Sequence, residues 1–86
     1  MDRYLIISPH TGLDCAKVVQ EVYSMGYITH FDWGCKAGEH TGWAIIEADS
    51  PAEALMVVPS LHRNTSKAVK INKYSPEEVR AMHTKK

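Results

Sequence analysis

Several things are missing from this chain, and each absence excludes a class of protein. Acidic and basic residues balance at 10 each, so there is no electrostatic footprint for nucleic acid. The opening run, MDRYLIIS, is far too short for a signal peptide or a membrane span. That favours a cytoplasmic protein, where two cysteines are expected as thiols or ligands rather than a structural disulfide. No Cys-x2-Cys or His-x3-His is present, so no local motif names a metal. The acids Asp32, Glu47, Asp49 and Glu53 lack a paired spacing, which leaves a two-carboxylate mechanism unsupported. No repeat, linker or low-complexity segment divides the 86 residues, and they read as one domain, 1–86. A chain this short buries only about 60–65% of its unfolded surface, so oligomerisation would help it.

What is present is concentrated. Trp33 to Trp43, WGCKAGEHTGW, carries three of the five glycines, both tryptophans, one cysteine and one histidine. Apolar runs flank it, and it reads as the tip of a β-hairpin. The first strand, Arg3–Ser8, is apolar on both faces and ends at Pro9. Thr11, with Asp14 three residues on, predicts a capped helix over Leu13–Met25, its stripe made of Ala16, Val19, Val22 and Tyr23 and its stop at Gly26. Tyr27–Trp33 alternates as an edge strand, and Trp43–Ala48 is apolar on both faces. Ser50-Pro51-Ala52-Glu53 is a strong helix start, and Pro59 breaks that helix. A loop with His62 and Arg63 leads to an edge strand at Lys67–Lys73. Ser75-Pro76-Glu77-Glu78 starts a last helix, with His83–Lys86 as a frayed end.

The order β-α-β-β-α-β plus a C-terminal helix is that of the α+β, ferredoxin-like split βαβ, with an antiparallel sheet ordered 4-1-3-2 and helices on one face. It makes the first and third strands central, and these are the two without polar alternation. Tyr4, Ile6, Trp43 or Ile45 must then lie on the uncovered face, which predicts a homodimer through that face unless the last helix folds over it.

The same topology collects the reactive residues. His10, Cys15, Cys35, His40 and His62 all fall at one end of the domain, while His30 and His83 fall elsewhere. With Thr11 as N-cap, His10 and Cys15 occupy the two positions that touch in a hydrophobic staple. The helix dipole would also lower the Cys15 pKa. His10, Cys15, Cys35 and His40 make a plausible N2S2 set for zinc, nickel or copper, with His62 as a spare group. The alternatives are a redox or nucleophilic thiol, a Cys15–Cys35 disulfide, and plain packing, since a thiol in an apolar helix stripe is often core. Trp33 and Trp43, as cross-strand neighbours, would pack together or wall a small-molecule pocket with His62. Lys67, Lys70, Lys73 and Arg63 read as a solvated edge.

Two resemblances cover most of the chain. GWAIIEADSPAEAL, followed by a Pro, a loop, an edge strand and SPEEV, resembles small proteins of the dimeric α+β barrel superfamily. This implies a dimer with a pocket between sheet and helices, but carries over no catalytic residues, which differ between members. An enzyme of that type on a small organic substrate, with His10 or His62 as general base, is one alternative to metal binding, and a non-catalytic ligand-binding or regulatory module is another. Cys15 early in the first helix, Gly26 through Trp33, and Ala48 through Ala54 are similar to small nickel-binding ferredoxin-like proteins, which implies metal binding. The tip WGCKAGEHTGW is outside that second pattern, so metal binding rests equally on the clustering of donors.

Overall fold

The computed structural model describes residues 1–84; Lys85 and Lys86, part of the expected frayed end, lie outside the described residues. Four strands form one antiparallel sheet: β1 (Asp2–Pro9), β2 (Phe31–Trp33), β3 (Thr41–Ala48) and β4 (Lys67–Lys70), in the order β2-β3-β1-β4. This is the expected 4-1-3-2 order read from the other edge. Three helices complete the fold: α1 (Cys15–Ser24), α2 (Pro51–Ala54, continued by a 3-10 turn at Leu55–Val57) and α3 (Pro76–Thr84).

The register settles which residues share a face, because side chains alternate along a strand and cross-strand partners lie on the same side. Tyr4 pairs with Ile46, Ile6 with Ala44 and Ser8 with Gly42, and Phe31 pairs with Ala44. This face carries the core, in which Tyr4, Ile6, Ala44 and Ala48 meet Val18 and Val22 of α1 and Ala54, Val57 and Val58 from the α2 region. Burying Ile6, Val18, Val22 and Val58 completely is worth about 1.5–3 kcal/mol each. The other face presents Arg3, Leu5 and Ile7 of β1, Trp43, Ile45 and Glu47 of β3, Asp32 of β2 and Lys67 and Val69 of β4. Tyr4 and Ile6 are therefore on the covered side, against expectation, while Trp43 and Ile45 are on the open one. Helix α3 contributes nothing to the core cluster and leaves Val79 and Met82 exposed.

Three other expectations are corrected, each for a local reason. Helix α1 begins at Cys15 with Asp14 as its N-cap, because Thr11 is occupied earlier: its carbonyl and hydroxyl both accept from the Asp14 N–H, at 3.1 and 3.3 Å. The buried pair is then Val18 and Val22, one turn apart, while Ala16 and Tyr23 face solvent. Strand β2 is three residues long. Gly26, at φ +87°, wraps the chain back so that Tyr27 N–H reaches the Val22 carbonyl at 3.1 Å. His30 N–H then closes a 3-10 turn on Tyr27 O at 2.9 Å, so Ile28–His30 are not strand. Strand β4 likewise ends at Lys70, although Ile71 N–H still bonds to Arg3 O at 3.0 Å.

Both acidic helix starts behave as expected. Ser50 Oγ accepts from Glu53 N–H at 3.1 Å, and Ser75 and Glu78 form a reciprocal capping box at 2.8 and 3.1 Å.

Candidate metal centre

Strand pairing brings three separate segments to one end of the sheet. The first is the exit of β1, where Pro9 pairs with Thr41 and His10 follows. His10 N–H donates to the His40 carbonyl at 2.9 Å, tying this segment to the hairpin tip. The second is the start of α1, where Cys15 is the first helical residue. The third is the tip itself, in which Cys35–Ala37 forms a 3-10 turn and Gly38, at φ +89°, reverses the chain. The tip is self-supporting: Gly34 N–H bonds to Thr41 O, and the Ala37 and Glu39 N–H groups both bond to Gly34 O, at 2.9–3.0 Å.

The result is a compact donor set. One ligand atom from each of His10, Cys15, Cys35 and His40 can be chosen so that all lie within 4.8 Å of one another. His10 Nε2 is 3.2 Å from Cys35 Sγ. A tetrahedral ion with bonds of 2.0–2.3 Å needs ligand–ligand separations of about 3.3–3.8 Å. The widest pair must therefore close by about 1 Å, within reach of a side-chain rotation. All four residues are half-buried.

Two glycines, not singled out as site residues from the sequence, make this geometry possible. At Gly34 a Cβ would stand 2.6 Å from the Glu39 carbonyl, so no side chain fits where the tip closes. At Gly12 a Cβ would meet His40 Nε2 at 3.3 Å, so the bare backbone gives the ring its place. The glycine in PHTGLDC was visible in the sequence, but its contact with a ring 28 positions away was not.

Unpaired polar atoms gather here. Among the described residues, four buried side-chain polar atoms lack a hydrogen-bond partner, and three belong to this end: His10 Nδ1, His40 Nδ1 and Trp33 Nε1. Buried polar groups are ordinarily satisfied, so such a concentration marks a site able to take a further partner. Burial lowers the His10 pKa below its ordinary value; the Ser8 backbone carbonyl opposes this, while His40 and His62 reinforce it. Cys35 is pushed up to about 11, first by burial and then by the hydrogen bond and repulsion from Cys15. Both cysteines are free thiols, so the disulfide alternative is not the state seen.

The remaining candidates divide. His62 sits in a 3-10 segment, Ser60–Thr65, close enough to act on His10 but outside the donor set. Its carbonyl accepts from Ser66 Oγ at 2.7 Å. With that proton engaged, the Ser8 hydroxyl, 2.9 Å away, must donate to Ser66 in return, fastening the segment to β1. Arg63 is not a solvated edge residue, since its Nε donates to Val58 O at 2.8 Å.

The tryptophans do not pack together. Trp33 pairs with Gly42 and Trp43 with Asp32, so period-2 alternation puts them on opposite faces. Trp33 stacks on Phe31 at 5.2 Å and meets the His10 ring edge-on at 6.0 Å. Trp43 stays on the open face, away from any shared pocket.

No family model, curated protein or solved structure matches this chain. No described helix is long and apolar enough to cross a membrane.

Proposed function

We propose that this chain is a small cytoplasmic metal-binding protein of ferredoxin-like fold. It holds one transition-metal ion through His10, Cys15, Cys35 and His40. The observation that carries the reading is the convergence of four soft or borderline donors, two from the β1–α1 connection and two from the distant hairpin tip, within 4.8 Å. His10 would bind through Nε2, which already faces Cys35, leaving Nδ1, buried without a partner, outside the coordination shell. His40 would bind through Nδ1, buried without a partner, since its Nε2 lies against Gly12. Zinc, nickel and copper all accept two thiolates and two imidazoles. Four protein ligands close a tetrahedral shell and leave no position for a reacting water, which favours holding or handing on a metal over hydrolysis.

The enzyme reading needs a deep apolar cavity between helices and sheet. Ile6, Val18, Val22 and Val58 are completely buried between helices and sheet, which counts against such a cavity in the centre of that interface.

Titration of the metal-free protein with Co²⁺ tests the proposal. One equivalent per chain, with tetrahedral ligand-field bands and thiolate charge-transfer absorption, is expected. Cys15→Ser and Cys35→Ser should each lose the charge-transfer intensity. A parent protein that takes up no metal, or variants that bind as the parent does, would overturn it.

A further inference from the structure

The open face of the sheet has an ordered composition. Reading the register across all four strands gives rows of neighbours. The first row runs Asp32, Trp43, Ile7, Lys67: an acid on the β2 edge, two apolar residues in the centre, a base on the β4 edge. The second runs Ile45, Leu5, Val69, with Ile45 53% and Val69 44% exposed. The third pairs Glu47 of β3 with Arg3 of β1. No ion pair joins Arg3 to Glu47 or Asp32 to Lys67 among the described residues. Beside Ile45 the β2 side of the second row is hollow, a shallow depression of about 280 Å³ edged by Leu5, His30, Asp32 and Trp43.

Each row is complementary to its own reverse. Laid face to face with a copy turned about an axis parallel to the strands, every residue meets the one at the mirror position of its row. Asp32 then meets Lys67, Trp43 meets Ile7, Ile45 meets Leu5 and Glu47 meets Arg3. Val69 on the β4 side falls opposite the depression on the β2 side. A twofold axis across the strands fails the same test, because it sets Glu47 against Trp43 and Arg3 against Ile7. That would bury charge against apolar surface without a partner. Both operators keep the two strand sets aligned, as face-to-face sheets require, so the charge order decides between them.

We infer that the occupant of this face is a second copy of the chain, packed sheet to sheet about a twofold axis parallel to the strands between β1 and β3. The interface is isologous, so each edge ion pair occurs twice. The inference stands on strand register and charge order, independently of the metal reading. One consequence follows from the operator: both Cys/His ends lie at the same end of the dimer.

Sedimentation equilibrium on the full chain, with and without added metal, tests it. The parent is expected as a dimer in both conditions. Ile45→Lys, at an exposed position that leaves the core alone, should give a folded monomer, with folding checked by circular dichroism. Asp32→Lys and Lys67→Asp should each weaken the dimer by about 10-fold, and the double exchange should restore it to within about 3-fold of the parent. A parent that stays monomeric up to concentrations on the order of 100 μM overturns the inference. So does a dimer that forms only with metal, one indifferent to Ile45→Lys, or a double exchange no better than the single ones.

Discussion

The two ends of strand β3 make an instructive contrast. At the Ala48 end lies a cleft of about 660 Å³, bordered by Arg3, Tyr27, His30, Glu47, Glu53 and Met56. It exists because β2 is short: Ile28–His30 turn away in a 3-10 turn and leave the outer edge of Ile45–Ala48 without a strand partner. At the Thr41 end two thiols and two imidazoles converge, and three buried polar atoms go unpaired. Empty volume records where the sheet runs out of strands. Convergent donors record where three loops are tied to one another, and only the second arrangement has a specific chemistry to offer.

The largest expected effect separates the ends by ligand removal. Cys35→Ser should cost on the order of 100-fold or more in metal affinity, since a coordinating atom matters at least as much as an outer-sphere one. Glu53→Gln or Met56→Ala at the cleft should leave metal affinity within about twofold. Competition titration against a chromophoric chelator measures both, and a loss of affinity on altering the cleft would erase the distinction.

Next in size is the closure of the tip. Gly34→Ala drives a Cβ to 2.6 Å from the Glu39 carbonyl, a backbone atom that cannot swing aside. It should destabilise the metal-free protein by about 1–3 kcal/mol in urea unfolding and weaken metal binding by displacing Cys35 and His40 together. Gly12→Ala, against the flexible ring of His40, should be milder for stability yet still perturb the metal spectrum.

The pH response of the metal-free protein is a smaller effect with a definite sign. Cys35 titrates higher folded than unfolded, so its share of stability is present below pH 9 and is lost as pH rises toward about 11. His10 titrates lower folded than unfolded, so its share is present above pH 6.5 and is lost as pH falls through its folded value. A stability plateau between these limits is expected from urea midpoints measured across pH, with Cys35→Ser removing the alkaline decline. Metal binding should release the Cys35 proton, seen as buffer-dependent heat in calorimetry.

The strand order and the shared location of the four donors were legible in the sequence, because apolar runs without alternation mark central strands and topology then places the loops. Other features depended on competition between local bonds. Thr11 resembles a helix cap, but it engages the Asp14 N–H in a turn one step early, which rotates the buried stripe to Val18 and Val22. Tyr27–His30 alternates like a strand, but the bond from Tyr27 to Val22 keeps it curled. Face assignment for Tyr4, Ile6 and the two tryptophans turned on register, and a single-residue shift in pairing exchanges the faces.

The smallest predicted effect lies at the cleft end. Ser50 Oγ caps α2, and Glu53 reaches back to the Asp49 N–H at 3.3 Å. Helix α2 has only four residues, and its Ala54 is fully buried beneath the sheet, so the cap holds a short element whose packing is already complete. Ser50→Ala should therefore cost about 1 kcal/mol, read as a small shift in urea midpoint, with the metal spectrum unchanged. A change in that spectrum would mean that the two ends communicate through β3, which the separate bonding of each end argues against.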